Sequence, residues 1–379
     1  MVLTAAAFLA LAVWLAVLLL PWRPHGTRER LEAAAAPEDL GDVTVLVPAR
    51  NEAAVLPRTL RGLRRQGPNL AVVVVDDEST DGTAEAAQAA AAPAEASEHP
   101  IALRVARGTR PPSGWSGKLW ALEQGLRLVD RPYVLLLDAD IELAPHTLPA
   151  LRARAAATGA DLVSIMATLR CVGFWERLLA PAFVFFFKLL YPFALASSPR
   201  SRVAAAAGGC MLLRAAALRA AGGFEAVRGA LIDDCTLAAA VKRNGGAIWI
   251  GMSRSVDSLR AYGFRDFWRM VRRTAYTQLR YSAALLLGTT AALGVAFVAP
   301  LAALAAGPSG AARAAGAGAW VAMALAYRPV TRFYGLHAAW SLTLPAAALL
   351  FLGMTWDSAL GYWRGVKARW KDRAYEVTD

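Results

Sequence analysis

Apolar positions fall along this chain in three kinds of run. The first is long and uncharged: residues 3–20 carry no charge, and Pro21-Trp22-Arg23 follows. That length suits a membrane span. A cleaved signal peptide would place its basic residues before the apolar stretch and a small-residue site after it. Here Arg23, Arg28 and Arg30 come afterwards, so residues 1–22 read as an uncleaved anchor with the following chain in the cytoplasm. The second kind is short and strand-like, at residues 43–47, 72–75 and 134–137. Each run is continuous rather than alternating, as in strands buried on both faces. Helical stretches at 53–65, 80–92 and 118–128 separate them, with Thr80 and Asp81 placed to cap the second. Strand, helix and strand at this spacing predict a mostly parallel α/β sheet flanked by helices. Residues 23–42 read as a linker, and the alanine-rich stretch 84–96 as a surface helix ending near Pro93.

The third kind is apolar but interrupted. Residues 174–196 contain Pro181, Lys188 and Pro192, which a clean span would avoid. They predict a helix lying in the membrane interface, with a buried core helix as the alternative. Residues 263–282 bring Arg265, Arg269 and Arg272 together at helical spacing, beside Phe264, Phe267, Trp268 and Tyr276. This is a basic amphipathic helix suited to anionic lipid, and the spans that follow disfavour a nucleic-acid role. Residues 283–362 hold the C-terminal spans, at 283–306, 336–355 and a shorter apolar stretch at 314–327. The basic tail, 363–379, should lie inside. Three crossings would leave it outside, so one segment fails to cross or forms a hairpin.

Composition agrees with a membrane protein. The chain is 56% hydrophobic, against roughly 45–50% in soluble domains. The net charge of +12 points to anionic lipid or phosphorylated ligands. Cys171, Cys210 and Cys235 have neither metal nor disulfide spacing, and the four histidines are scattered.

The chemistry sits where the short strands end. The first runs into Pro48-Ala49-Arg50-Asn51-Glu52, the second into Asp76-Asp77-Glu78-Ser79, the third into Asp138-Ala139-Asp140. Ligands of open α/β sheets bind beyond the carboxyl ends of the strands. Asp138 and Asp140 can hold a divalent cation through oxygen, and Mg²⁺ leaves the rest of its shell to water and substrate phosphates. A solvated turn is the bland reading of one Asp-x-Asp; three such clusters at one edge argue against it. There is neither a G-x-G-x-x-G nor a P-loop, so a bound diphosphate must be held by metal and side chains.

From about residue 43 to 281 the chain resembles the family 2 glycosyltransferases, inverting enzymes of GT-A fold. VLVPARNEAAVLPRTLRGL resembles their opening strand and helix, and VVVVDDESTDGT their nucleotide-binding loop, with Asp77 as partner of the base and Asp76 beside it. GKLWALEQGL, containing Lys118, is similar to Gly-Lys-x-x-Ala-Leu-Asn-x-Gly, with Glu123 where asparagine is common. Asp138-Ala139-Asp140 matches the metal motif. AGGCMLLRAAALRAAGGF resembles the acceptor-side loop with Gly208 and Gly209, and LIDDCTL resembles Glu-Asp-x-x-Leu, placing Asp234 at the catalytic base. Membrane-bound members often carry Gln-x-x-Arg-Trp; Arg280 and Tyr281 fill its last two places, and Thr277 stands where glutamine is expected. ALIDDCTLAAAVKR, RTAYTQLRYS and WKDRAY look closest to the hopanoid-associated branch, with ceramide and carotenoid glycosyltransferases similar but more distant.

The resemblance implies a nucleotide-diphosphate sugar donor and Mg²⁺ or Mn²⁺ as cofactor. Pro48, Arg50, Glu52, Asp76, Asp77, Lys118, Asp138 and Arg280 would bind the donor; Gly208, Gly209 and Tyr281 would face a lipid acceptor. The acceptor hydroxyl loses its proton as it attacks, which calls for a positioned carboxylate: Asp234, or its neighbour Asp233. A helix-start pair of acids is the structural alternative for those two. A processive polysaccharide synthase is disfavoured, because few spans follow the domain. A nucleotide-binding transport or scaffold protein would need no base at Asp234.

Overall fold

The computed structural model describes residues 1–93 and 95–366, and the backbone of 369–370 and 373–374. The chain runs α1 (Val2–Leu19), β1 (Val43–Ala49), α2 (Leu56–Arg64), β2 (Ala71–Asp76), α3 (Thr83–Ala89), β3 (Ala102–Arg107), α4 (Gly117–Leu126), β4 (Tyr133–Leu137), β5 (Ile141–Leu143), α5 (Thr147–Thr158), β6 (Leu162–Thr168) and α6 (Phe174–Leu190). It continues through α7 (Phe193–Ala196), β7 (Cys210–Arg214), α8 (Ala215–Ala220), α9 (Asp233–Arg243), β8 (Ile248–Ser258), α10 (Phe264–Gln278), α11 (Ala283–Leu293), α12 (Ala299–Ala306), α13 (Gly310–Phe333) and α14 (Leu344–Trp363). These elements form two units. One is α/β, built from Glu29–Arg170 and Leu195–Arg260; the other is helical, built from Met1–Arg28, Cys171–Ala194 and Ala261–Val366. Most of the helix expected at 174–196, inside the domain read over 43–262, falls in the helical unit.

The α/β unit is organised by an eight-stranded sheet in the order β3-β2-β1-β4-β7-β6-β8-β5. β1, β2, β3 and β4 pair in parallel, and β7 enters antiparallel between β4 and β6. Every residue of β1 is buried, as is all of β2 after Ala71, which is why these strands read as unbroken apolar runs. Pro48 can sit inside β1 because β1–β4 pairing ends at Leu46↔Leu136, so a missing N–H falls beyond the last pair on that side. Chain order reverses between β1 and β4, and the ends of these two strands flank the crevice that a parallel sheet opens at such a point.

Two expectations change here. Part of the linker is built into this unit: Leu31 and Leu40 are buried, and Arg30 bridges to Met252. Helix α3 starts three residues later than the pattern suggested. Gly82 is its cap residue, Asp81 accepts from the Thr83 N–H, and the Thr80 N–H donates instead to Asn51 Oδ1 at 2.9 Å.

In the helical unit, three helices are long and apolar enough to cross a membrane: Val2–Leu19, Ala283–Ala306 and Ala338–Trp363. The second contains a π-helical turn, Gly294–Val298. Trp14 Nε1 donates to the Ala296 carbonyl there at 2.8 Å, which answers the demand that backbone groups in lipid be satisfied internally. The middle apolar stretch is longer than its sequence suggested, because α13 is 24 residues long and keeps Arg313, Arg328 and Arg332 within it. A Cβ at Gly316 would lie 2.5 Å from the Pro300 carbonyl oxygen, so α13 approaches α12 through small residues. Helix α6 has a buried middle: Phe185 packs on Trp14 and Tyr327, while Phe174, Trp175 and Leu190 at its ends are exposed. On α10, Arg272 is not part of a free basic face. Its Nε lies 3.1 Å from Asp357 Oδ2, which also accepts from Trp268 Nε1 at 2.8 Å. The basic tail from residue 367 onward lies outside the described residues, its short strands' backbone aside.

Salt screens charge and leaves apolar burial intact. The protein should therefore stay in the membrane pellet after a high-salt or carbonate wash and leave it only in detergent. Quantitative release by salt would contradict the reading of the three apolar helices.

Candidate active site

The crevice side of the sheet is assembled from strand ends and the starts of two helices. Ser116 caps α4 by accepting from the Leu119 N–H at 3.2 Å, which places Lys118 in the first turn. Gly125 lets α4 lie close on the sheet, since a Cβ there would come 2.2 Å from Leu46 Cδ1. The Gly-Lys-x-x-Ala-Leu-x-x-Gly spacing thus fixes the helix against β1 at one end and presents a lysine at the other. Lys118 Nζ sits 2.8 Å from Asp138 Oδ1 and 3.7 Å from Asp233 Oδ2. Burial alone would lower the lysine pKa; the carboxylates of Asp138 and Asp233 override it and hold the ammonium above its ordinary range.

Helix α9 begins at Asp233. Asp234 Oδ2 accepts from the Gly208 N–H at 2.8 Å, and Oδ1 from its neighbour, the Cys235 N–H, at 2.7 Å. It therefore does satisfy a helix-start N–H, as the structural alternative required, and does so beside Lys118. The approach is close on the glycine: a Cβ at Gly208 would stand 3.3 Å from Asp234 Oδ2 and 3.4 Å from Lys118 Nζ. Gly209 accepts from the Asp138 N–H at 3.0 Å, joining the acceptor-side loop to the metal motif. Burial, then the charge of Asp233, push the Asp234 carboxyl up to about 6; the two N–H bonds and Lys118 pull the other way.

Pro48, Lys118, Asp138, Gly208 and Asp233 line one pocket, floored by Leu119, Leu136 and Phe224. Five residues chosen from separate motifs thus meet in one place, and Asp234 adjoins it. The other predicted residues divide. Asp140 and Glu52 are brought together by Arg260, whose Nε donates to Asp140 Oδ2 at 2.8 Å and whose second guanidinium nitrogen donates to Glu52 Oε1 at 3.0 Å. Arg50 donates to the carbonyl oxygens of Asp77 and Glu78 and faces the Asp77 carboxylate at 3.8 Å. Asp77 is fully buried, and Asp76 beside it keeps 9% exposure. Asn51, left-handed at φ 53°, locks the first two strand loops together through Ser79 and Thr80.

Arg280 and Tyr281 belong to the helical unit. Both are left-handed, at φ 51° and 55°, a strained pair of the kind that needs local support. Thr277 Oγ1 donates to the Tyr281 hydroxyl at 3.1 Å, Tyr276 donates to the Tyr281 carbonyl at 2.8 Å, and the Tyr281 ring stacks on Tyr362. Thr277, standing where glutamine was expected, is thus paired with Tyr281, which stands where tryptophan was. Gln278 accepts from the Tyr191 hydroxyl at 2.9 Å. Arg260 was missed in the sequence; a basic residue just past a strand end is the only signal it carried.

Asp138 and Asp140 offer carboxylate oxygens, the right donors for Mg²⁺ or Mn²⁺. Among the described residues no third His, Cys, Asp or Glu completes a metal-holding group with them. The pair fits a cation whose remaining ligands are water and a diphosphate.

Comparison with known proteins accords with this geometry. Residues 44–222, a little under half of the chain, match the family model described as Glycosyl transferase family 2. The match ends before Asp233 and Asp234. The chain is 32% identical over 117 residues to a 4,4'-diaponeurosporenoate glycosyltransferase of Staphylococcus haemolyticus, covering 30% of this chain and 28% of the relative. It is 36% identical over 124 residues to an undecaprenyl-phosphate mannosyltransferase of Micrococcus luteus, covering 32% and 46%. An undecaprenyl-phosphate 4-deoxy-4-formamido-L-arabinose transferase of Pectobacterium carotovorum is 31% identical over 145 residues, covering 37% and 41%. The chain thus spans less than half the length of these relatives. Among solved structures, the mannosyltransferase PcManGT of Pyrobaculum calidifontis, in complex with GDP-Man and Mn²⁺, superposes with a TM-score of 0.52 at 22% identity. The superposition covers 92% of this chain and 99% of that one, and shows the GT-A fold.

Acidity gives a direct check on the site. A carboxyl near 6 must be ionised to accept a proton, so kcat/KM should rise with pH along a limb centred near 6. The same shift acts against folding. The unfolded carboxyl, at 3.8, releases its proton first, so this group's contribution to stability falls as pH climbs from there to about 6. A flat rate profile between pH 5 and about 7 would remove Asp234 from the rate-limiting chemistry.

Proposed function

We propose that the protein is an inverting, membrane-bound transferase that moves a sugar from a nucleotide-diphosphate sugar onto the hydroxyl of a lipid, with a hopanoid or related terpenoid as acceptor. The observation that carries this reading is the convergence of Pro48, Lys118, Asp138, Gly208 and Asp233 on one pocket beside Asp234. Asp234 accepts the proton of the attacking hydroxyl, and the neighbouring charge of Asp233 raises its affinity for that proton. Lys118 keeps a positive charge on the leaving-group side, and the Gly208-Gly209 loop holds the base in place. Asp138 and Asp140 would hold Mg²⁺ or Mn²⁺, which when bound supplies charge against the departing diphosphate. Glu52, Arg50, Asp76 and Asp77 shape the nucleotide side. The protein resides in the cytoplasmic membrane as a multi-pass protein with the α/β unit in the cytoplasm. The positive-inside pattern after Arg23 and the three apolar helices support that placement.

The relatives named for undecaprenyl phosphate support a second reading, in which the acceptor is a lipid phosphate. A phosphate monoester is largely ionised at neutral pH and needs no base. The test is to incubate the purified protein with a panel of nucleotide sugars and either a hydroxylated terpenoid or a polyprenyl phosphate. Mass spectrometry then identifies which lipid gains a sugar. Excess chelator should abolish the transfer, and Mg²⁺ or Mn²⁺ should restore it; full activity in chelator would overturn the role given to Asp138 and Asp140.

A further inference from the structure

We infer that Arg260 competes with the divalent cation for Asp140, so that cation and nucleotide bind cooperatively. The inference rests on the metal role proposed above for Asp138 and Asp140. Arg260 follows β8 closely, and its position is fixed by backbone, since the Leu259 N–H donates to the Asp140 carbonyl at 2.8 Å. From there its guanidinium spans two carboxylates from different loops, Asp140 at 2.8 Å and Glu52 at 3.0 Å. The side chains of Asp140 and Glu52 are 13% and 11% exposed, so both acids are largely withdrawn from water and depend on a nearby positive charge.

A dication at Asp140 supplies that same charge, and two cations on one carboxylate repel each other. Lys118 makes a similar contact with Asp138, but it is 17% exposed and also faces Asp233. Arg260 is 39% exposed and so has room to swing away from Asp140. Its planar fork suits phosphate as well as carboxylate. When a nucleoside diphosphate arrives with the cation, Arg260 gains a new anionic partner as it yields the old one. The cation alone must displace Arg260 without that return. Nucleotide should therefore strengthen cation binding, and by linkage the cation should strengthen nucleotide binding by the same factor.

The test reads Mn²⁺ binding to the full chain in detergent, from the electron paramagnetic resonance signal of free Mn²⁺, alone and with UDP or GDP. Arg260→Gln should bind Mn²⁺ alone about fivefold or more tighter than the wild type, and the gain from nucleotide should shrink correspondingly. Arg61→Gln, a surface control on α2, should leave both quantities unchanged. Equal or weaker Mn²⁺ binding by Arg260→Gln, or equal tightening by Arg61→Gln, overturns the inference while leaving the metal reading intact. Absence of Mn²⁺ binding in every variant, with or without nucleotide, overturns both. If Arg260→Gln does not fold, Arg260→Lys carries the test. Its compact ammonium cannot fork across both acids, so Mn²⁺ alone should bind about two- to threefold tighter, and an unchanged affinity overturns the inference.

Discussion

Asp234→Asn should turn over roughly 10²–10⁴ times more slowly than the wild type, the range typical of losing a general base. Asparagine keeps the size of the side chain but cannot take a proton at neutral pH. One oxygen remains to accept from the Gly208 or Cys235 N–H, so the loop and the start of α9 should hold their places. Donor affinity, measured by calorimetry, should stay within a few fold, and the acid limb near pH 6 should vanish with the carboxyl. Asp233→Asn is the necessary companion. Asp233 lines the pocket and lies 3.7 Å from Lys118 Nζ. Its loss should lower the proton affinity of Asp234 and shift the limb to lower pH while sparing most of the rate. If Asp233→Asn is the slow variant and Asp234→Asn is not, the base is Asp233. If both turn over like the wild type with a lipid hydroxyl, neither carboxylate is the base; with a lipid phosphate, which needs no base, wild-type turnover is the expected outcome.

Arg64→Met should destabilise the α/β unit by about 3–5 kcal/mol, the usual cost of stranding one partner of a buried ion pair. Arg64 Nε lies 2.7 Å from Glu98 Oε2, with side-chain exposures of 3% and 0%. Arg64 also donates to the Ala90 carbonyl, so it ties α2 to the end of α3 and to the loop after it. Arg65, at 3.9 Å from the other Glu98 oxygen, recovers only part of the lost charge. The pairing of Arg64→Met with Glu98→Leu should restore most of the stability, because it removes the stranded carboxylate. Denaturant or thermal unfolding of the full chain, with activity per folded molecule as a check, measures this. A single-variant loss under about 1 kcal/mol would mean that water reaches Glu98 on unpairing.

The parts of the fold legible in sequence were those with an unmistakable pattern. β1, β2 and β4 are buried on both faces, so their apolar runs are continuous and their acidic ends conspicuous. β3 shows no fully buried position, and β8 carries polar residues such as Ser253, Arg254 and Asp257, so neither announced itself. The same contrast divides the site. Lys118, Asp138, Gly208 and Asp233 were legible through local motifs. Arg260 acquires meaning only from the β5–β8 register, which sets it beside Asp140, 120 residues earlier. The partner of Gln278 is 87 residues away in sequence. The burial of Asp77 depends on how the Arg50 loop closes over it, and a motif does not record that.

The interleaving of the two units constrains how the protein can be made and cut. Cys171–Ala194 belongs to the helical unit yet interrupts the α/β unit between Arg170 and Leu195. A nascent chain has therefore delivered α1 and α6 before β7, α9 and β8 exist. The sheet cannot close until a hydrophobic element in its middle has found a place of its own. A fragment trimmed to residues 29–260 would keep α6 and lose Trp14, Tyr327 and Phe351, the rings that pack against Phe185 and Phe186. Removing residues 1–28 and 261–366 would thus leave α6 with its apolar rings uncovered rather than a self-contained α/β unit.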